Sequence, residues 1–199
     1  LAITAPASGN YCTSQSPLAV TVNVKNFGCT SISNVPIEYT INGGAPINEV
    51  VPGPIAAGTT ISYTFTTTAN VSGGGSFVLA SKANLVNDID AANDASPVNN
   101  TLTVTVQATA NAGGNASTCS NTSYTLSGSS TTNNSSVSWS TNGTGSFGGT
   151  GNTLHATYTP SALDISNGSV LLTLTAFGNS PCGSAQSSMT LTINPNPSA

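Results

Sequence analysis

Arginine is absent from this 199-residue chain, and only Lys25 and Lys82 carry positive charge, against six acidic side chains. A nucleic-acid binder needs a basic stripe to displace counterions from phosphates, and two lysines cannot form one. Charged residues of every kind make up only 4% of the sequence, so solubility rests on hydroxyls and amides rather than on charge. No apolar run approaches the length of a membrane span, and no basic amphipathic segment is present to lie on a membrane surface. The chain has one histidine and four cysteines with no C-x-x-C pair, which argues against zinc or redox chemistry. Neither a G-x-S-x-G elbow nor a glycine loop followed by lysine occurs, which removes the familiar hydrolase and phosphate-binding signatures.

What is present is alternation. Leu18, Val20, Val22 and Val24 fall on one side of an extended Leu18 to Asn26, with Ala19, Thr21, Asn23 and Lys25 on the other, a period only a half-buried strand produces. The same period places Ile37, Tyr39 and Ile41 together in Val35 to Ile41, Ile61, Tyr63 and Phe65 in Thr60 to Thr67, and Leu102, Val104 and Val106 in Thr101 to Gln107. Asn42-Gly43-Gly44, Pro52-Gly53-Pro54 and Gly73-Gly74-Gly75 punctuate these runs as turns, and Ala5 to Asn10 is equally turn-rich. With Leu1 to Ile3, Ala45 to Val51 and Phe77 to Ala83, about seven short strands span residues 1–108, the spacing of an immunoglobulin-like sandwich.

Ala108 to Ser117 holds few large apolar side chains and reads as a junction. Beyond it, strands are expected at Ser123 to Ser127, Ser136 to Thr141, Thr153 to Thr159, Val170 to Phe177 and Ser187 to Asn194, with Trp139 as the buried aromatic. Ser161 to Ser166 is long enough for a single helical turn. The expected fold class is therefore all-β, two immunoglobulin-like β-sandwich domains in tandem, at residues 1–108 and 109–199.

An even cysteine count without metal spacing points to disulfides and an oxidising compartment. Sequence order suggests Cys12 with Cys29 and Cys119 with Cys182, against free or intermolecular thiols. The first bridge requires Thr13 to Pro17 to double back along the strand, because bridged α-carbons lie within about 7 Å. Starting at Leu1 with no signal peptide, the chain reads as a mature fragment of a longer exported protein.

Candidate chemistry is sparse. Asn87 to Asp94, N-D-I-D-A-A-N-D, gathers Asp88, Asp90 and Asp94 as candidate calcium ligands, although the spacing is not that of an EF-hand and Asx-turns account for it equally. His155 in T-L-H-A-T-Y is expected as a strand residue without an orienting partner, and Asp164 as a cap on a helical turn. Glu38 and Glu49, on strands joined by a hairpin, have the composition of a glycosidase pair but are expected to face solvent. No catalytic residue and no cofactor is assigned. N-x-S/T sequons are frequent simply because Asn, Ser and Thr are.

Several ordered segments of residues 1–108 resemble the bacterial cell-adhesion-related domain (CARDB) of secreted Bacteroidetes proteins: V-T-V-N-V-K-N-F-G, I-S-N-V-P-I-E-Y-T-I-N-G-G, I-A-A-G-T-T-I-S-Y-T-F-T-T-T-A-N and N-D-I-D-A-A-N-D. Residues 109–194 are similar to immunoglobulin-like or polycystic-kidney-disease-like repeats through Y-T-L-S-G, V-S-W-S-T-N-G-T-G-S-F, Y-T-P-S-A-L-D-I-S-N-G-S-V, L-T-L-T-A and N-S-P-C-G-S-A. The resemblance implies a non-enzymatic structural and adhesive repeat of an exported cell-surface or filament-forming protein. Its partners would be other copies, neighbouring repeats or surface glycans, with no nucleic acid and no membrane insertion. The alternative is a carbohydrate-binding accessory region of a secreted hydrolase, which requires exposed aromatics.

Overall fold

Alternation sets the first unit's strands, and the turn residues set where they stop. The computed structural model describes residues 1–86, 88, 90–149 and 151–196, and the chain forms two units, Leu1–Val106 and Gln107–Ala199. The first contains β1 (Ala2–Ala5), β2 (Gly9–Cys12), β3 (Thr21–Lys25), β4 (Val35–Ile41), β5 (Ile47–Val51), β6 (Thr60–Thr64), β7 (Gly75–Ala83) and β8 (Asn100–Thr105). These make a three-stranded sheet, β1-β3-β6, and a five-stranded sheet, β2-β8-β7-β4-β5.

The core lies between the two sheets. Val20, Val22 and Val24 face it from one side, and Ile37, Tyr39, Leu79, Leu102 and Val104 from the other, all buried. Each such side chain contributes about 1.5–3 kcal/mol by leaving water. Leu18 stops short of β3, bridging instead to Ala69. The segment expected to open the central strand therefore hinges into it, and β3 is the middle strand of the smaller sheet.

One strand was hidden by its composition. Gly9-Asn10-Tyr11-Cys12 begins inside the turn-rich stretch, yet it forms β2 and runs parallel to β8, Gly9 opposite Leu102 and Cys12 opposite Thr105. The chain thus leaves the smaller sheet after β1 and joins the edge of the larger one. Tertiary pairing overrides a local turn preference here.

The second unit repeats the device. Its strands are β9 (Thr109–Asn111), β10 (Ala116–Cys119), β11 (Tyr124–Thr125), β12 (Ser130–Thr132), β13 (Asn134–Thr141), β14 (Ser146–Phe147), β15 (Thr157–Thr159), β16 (Ser169–Gly178) and β17 (Ala185–Asn194). A four-stranded sheet, β10-β17-β16-β13, faces the smaller β11-β15-β14 and β12-β9 pairings. Trp139, Val170, Leu172, Leu174, Met189 and Leu191 supply one side of the core, and Ala112, Leu126, Ala156 and Tyr158 the other. The stretch that reads as a junction instead contributes β9 and β10, the latter parallel to β17. Small residues such as Ala112, buried against the sheet, fill the space that larger ones would overpack. The helical turn expected near Ser161 is α1 (Ala162–Asn167), ended by Gly168 in the left-handed region at φ 73°. Among the described residues no helix is long and apolar enough to cross a membrane.

Candidate functional site

Two carboxylates carry most of the organised polar chemistry. Glu49 shares the core-facing register of β5 with Ile47 and Val51, at the edge of the larger sheet. The Tyr63 hydroxyl donates to its Oε2 at 2.8 Å, the Thr66 hydroxyl and amide to Oε1 at 2.7 and 3.0 Å, and the Thr67 amide to Oε1 at 3.1 Å. The Tyr39 hydroxyl adds a bond to the Thr67 carbonyl at 3.0 Å. Glu49 therefore ties the edge of one sheet to the chain leaving the edge strand of the other. Burial raises its pKa, but the donors at Thr66, Tyr63 and Thr67 outweigh this and hold the carboxyl below its ordinary value.

Glu38 lies elsewhere. Glu49 stands opposite Ile37 in the β4–β5 register, so Glu38, one residue on, points to the outer face, where the Asn84 amide donates to it at 2.6 Å. Opposite faces of one sheet cannot present paired carboxylates to one glycosidic bond. The expectation that Glu49 faces solvent is corrected: it is bound by five donor contacts from residues 63–67.

Asp164 is the counterpart in the second unit and is only 1% exposed. The Thr144 amide donates to Oδ1 at 3.0 Å, while the Gly145 amide, the Tyr158 hydroxyl and the Ser161 amide donate to Oδ2 at 2.8, 2.8 and 2.9 Å. With Ser161 it completes a capping box at α1. Burial raises its pKa, but bonds from Ser161, Thr144 and Tyr158 more than offset this and leave it below the ordinary value. Burial, joined by the Asp164 carboxylate, pushes the Tyr158 phenol up. Glycine is obligatory at 143 and 145, where a Cβ would run into the Asp164 carboxylate.

His155 is exposed and sits in a turn before β15, not in a strand. Its Nδ1 lies 3.2 Å from the Leu126 carbonyl and 3.3 Å from the Ser129 hydroxyl. A carbonyl only accepts, so the Leu126 contact is a hydrogen bond in the tautomer that carries its proton on Nδ1, and in that tautomer Nδ1 cannot take one from Ser129. The buried Ser129 hydroxyl in turn lies 2.8 Å from both the Leu126 and Leu154 carbonyls. This arrangement holds a turn closed and does not activate a nucleophile.

The cysteines depart from the expected pairs. Cys29 and Cys119 are exposed free thiols, so neither expected bridge forms. Cys119 stands opposite Asn194 at the far end of β17, while Cys182 precedes that strand's first residue, Ala185. Ten extended residues span about 30 Å, far outside disulfide reach. Thr13–Gln15 forms a single tight turn and the chain then runs on into β3, without the doubling back that Cys12 with Cys29 requires.

The acidic run stands beside a cleft. Within the cleft of about 480 Å³ lie Lys25, Phe27, Ile32, Leu85, Asp88 and Asp90, with Asn26, Gly28 and Asn93 completing its wall. Asp88 Oδ1 accepts the Asp90 amide at 3.0 Å and Asp90 Oδ1 accepts the Ala92 amide at 3.2 Å, both Asx-turn bonds. Asn87 and Ile89 of the run lie outside the described residues. Asp94 is not in the cleft wall, and among the described residues no group of three acidic, His or Cys side chains is placed to hold a metal ion. Phe27, 60% exposed, borders the cleft from a turn and so belongs to no alternating strand pattern.

The sequence matches no protein-family model. No curated protein matches it. Among solved structures, the fibronectin(III)-like modules of Clostridium thermocellum CbhA are 16% identical over 97% of this chain and 93% of that one, with a TM-score of 0.35. Drosophila N-cadherin EC1-4 is 12% identical, with 97% of this chain and 49% of that one covered, at a TM-score of 0.39. The calcium binding domain CBD12 of CALX1.1 is 12% identical, covering 85% and 77%, at 0.33. At these scores neither function nor site residues transfer, and the description of this chain as a tandem of all-β, immunoglobulin-like sandwiches rests on its own sheets.

Proposed function

We propose that the chain is a non-enzymatic structural and adhesive module of an exported bacterial cell-surface or filament-forming protein, built of a CARDB-like unit followed by an immunoglobulin-like or polycystic-kidney-disease-like one. The observation that carries this reading is where the reactive groups are spent. Glu49 and Asp164, the two most heavily hydrogen-bonded carboxylates, brace the sandwiches, and the Ser129–His155 contact closes a turn. Outside, neutral hydroxyls pair across strands: Thr21 with Thr64 at 2.9 Å, Thr109 with Thr132 at 2.7 Å, and Thr173 with Ser188 at 2.8 Å. Such a surface meets a neighbouring copy with little charge repulsion and little dependence on salt.

One sheet edge supports contact between copies. β13 is an edge strand with no charged residue, and its outer side at Asn134–Ser138 opens on a groove of about 670 Å³ that also includes Leu154 and Phe177. The Trp139 amide, on the same side, is already satisfied by the Gly151 carbonyl. Alternation leaves the backbone of Val137 facing the groove, the chemistry a further strand requires.

Sedimentation and electron microscopy of the full chain at rising concentration test the reading. Concentration-dependent oligomers or ordered polymers, insensitive to added salt, are expected. A strictly monomeric chain that also fails to adhere to any bacterial or glycan-coated surface overturns it, and turnover of a glycan polymer overturns the non-enzymatic part.

A further inference from the structure

The exposed Phe27 ring is built into the first unit. Asn26, buried beneath it, donates through Nδ2 to the Thr30 carbonyl at 2.7 Å and the Ile55 carbonyl at 3.0 Å, while its Oδ1 accepts the Gly28 amide at 2.9 Å. The Asn26 amide and carbonyl are bonded to Thr59 and Gly58. Every polar atom of Asn26 is thus engaged in fixing the turn that holds Phe27 out in water. A large apolar ring presented by a buried, fully bonded bracket is what a recognition platform needs: its shape is fixed before a ligand arrives.

The neighbouring chemistry restricts the ligand. Lys25 places its ammonium 4.5 Å from the centre of the ring, covering part of one face and steadying it. Ile32 and Leu85 supply apolar wall. Asp88 and Asp90 each commit one carboxylate oxygen to a backbone amide and, among the described residues, leave the other without a protein donor. The cleft therefore offers an exposed aromatic ring, apolar contact, and carboxylate oxygens that accept from hydroxyl groups. Its volume of about 480 Å³ lies within the roughly 300–1,000 Å³ of small-molecule sites.

From this geometry we infer that the Phe27 cleft binds a neutral hexopyranose unit of a glycan, the C–H face of the sugar stacked on Phe27 and its hydroxyls donating to Asp88 and Asp90. C–H bonds of a pyranose face carry slight positive charge and are drawn to the negative face of an aromatic ring. Hydroxyl donors to ionised carboxylates form charge-assisted bonds. Two carboxylates against one ammonium leave the cleft net negative, so uronic and other acidic sugars are disfavoured. The inference rests on the adhesive reading above and names the glycan partner's chemistry.

The test is an NMR titration of the isotope-labelled full chain, in a chelator-containing buffer, with cellobiose, maltose, lactose and digalacturonic acid. At least one neutral disaccharide shifts the amides of Asn26, Phe27 and Gly28 with a Kd in the millimolar range, and digalacturonic acid does not. Phe27→Ala abolishes the shifts with the rest of the spectrum unchanged, and Asp88→Asn weakens binding by about tenfold. The proposal is overturned if no neutral disaccharide perturbs these amides, if Phe27→Ala leaves affinity unaltered, or if calcium alone reproduces the shifts. A chain that polymerises but ignores every sugar loses the cleft and keeps the assembly reading. One that binds sugar but stays monomeric loses assembly and keeps the cleft.

Discussion

Glu49 in the first unit and Asp164 in the second solve one problem at different depths. Each is a carboxylate that ties separated segments of a sandwich together, and each titrates below its ordinary value because hydrogen bonds outweigh burial. Glu49 is half-buried at a sheet edge and holds one segment, residues 63–67. Asp164 is fully enclosed and joins three places at once: the 144–145 turn, Tyr158 on β15 and the start of α1. Depth sets the consequence of removal, because donors at an edge can turn to water while enclosed ones cannot.

Asp164→Ala separates the two carboxylates most strongly. It leaves two loop amides, the Ser161 amide and a tyrosine hydroxyl without an acceptor in an enclosed site, and should cost about 3–4 kcal/mol. Trp139 is the only tryptophan and lies in the second unit, so its fluorescence during urea unfolding reports that unit alone. A midpoint shift of a few tenths of a kcal/mol would mean that the site rehydrates and that depth is not the deciding variable.

Acid is the next lever. Both folded pKa values lie below the ordinary 3.8 of Asp164 and 4.5 of Glu49. For carboxyls lowered on folding, the contribution is complete above the unfolded value and is lost as pH falls through the folded one. Stability should thus hold from neutral pH to about 4.5 and fall below it. Asp164→Asn flattens that fall in the Trp139 signal; an unchanged acid limb in the variant contradicts the assignment. Glu49→Ala should be milder, about 1–2 kcal/mol. Its signature is faster hydrogen exchange of the Thr66 and Thr67 amides, with the Trp139 transition unmoved.

These braces explain what the sequence could and could not disclose. Val20, Val22 and Val24, or Leu102 and Val104, announce strands because alternation is local and the buried face needs only a sheet opposite. β2 and β10 have no local signature for a common reason: each pairs in parallel with the last strand of its unit, a partner more than seventy residues away that overrides turn-like or alanine-rich composition. Asp164 is legible as a cap from its own helical turn, whereas its reciprocal partner Ser161 emerges only in the folded chain. Its donors at 144–145, and those of Glu49 at 63–67, depend on how the sandwich closes and leave no local pattern. Phe27 leaves no trace in the alternation because an aromatic in a turn carries no period. The cysteine pairs failed because sequence order knows nothing of which end of β17 each thiol occupies.

Two buried serines separate the units by sign. Ser81 on β7 is opposite Tyr39 and 4% exposed, and its hydroxyl has no hydrogen-bond partner among the described residues. Ser129 in the second unit is similarly buried but lies 2.8 Å from two carbonyls. Ser81→Ala removes a desolvated, unpaired hydroxyl and should leave the first unit unchanged or more stable by up to about 1 kcal/mol. Ser129→Ala breaks a satisfied bond and should cost about 1 kcal/mol. Native-state hydrogen exchange at amides of β7 and β16 reads the two separately, and equal losses in both variants would show that the Ser81 hydroxyl finds a partner after all. A stabilising Ser81→Ala beside a destabilising Ser129→Ala would mean that the first unit tolerates an unpaired core hydroxyl, while Ser129 and Asp164, the buried polar side chains among the described residues of the second, are both bonded.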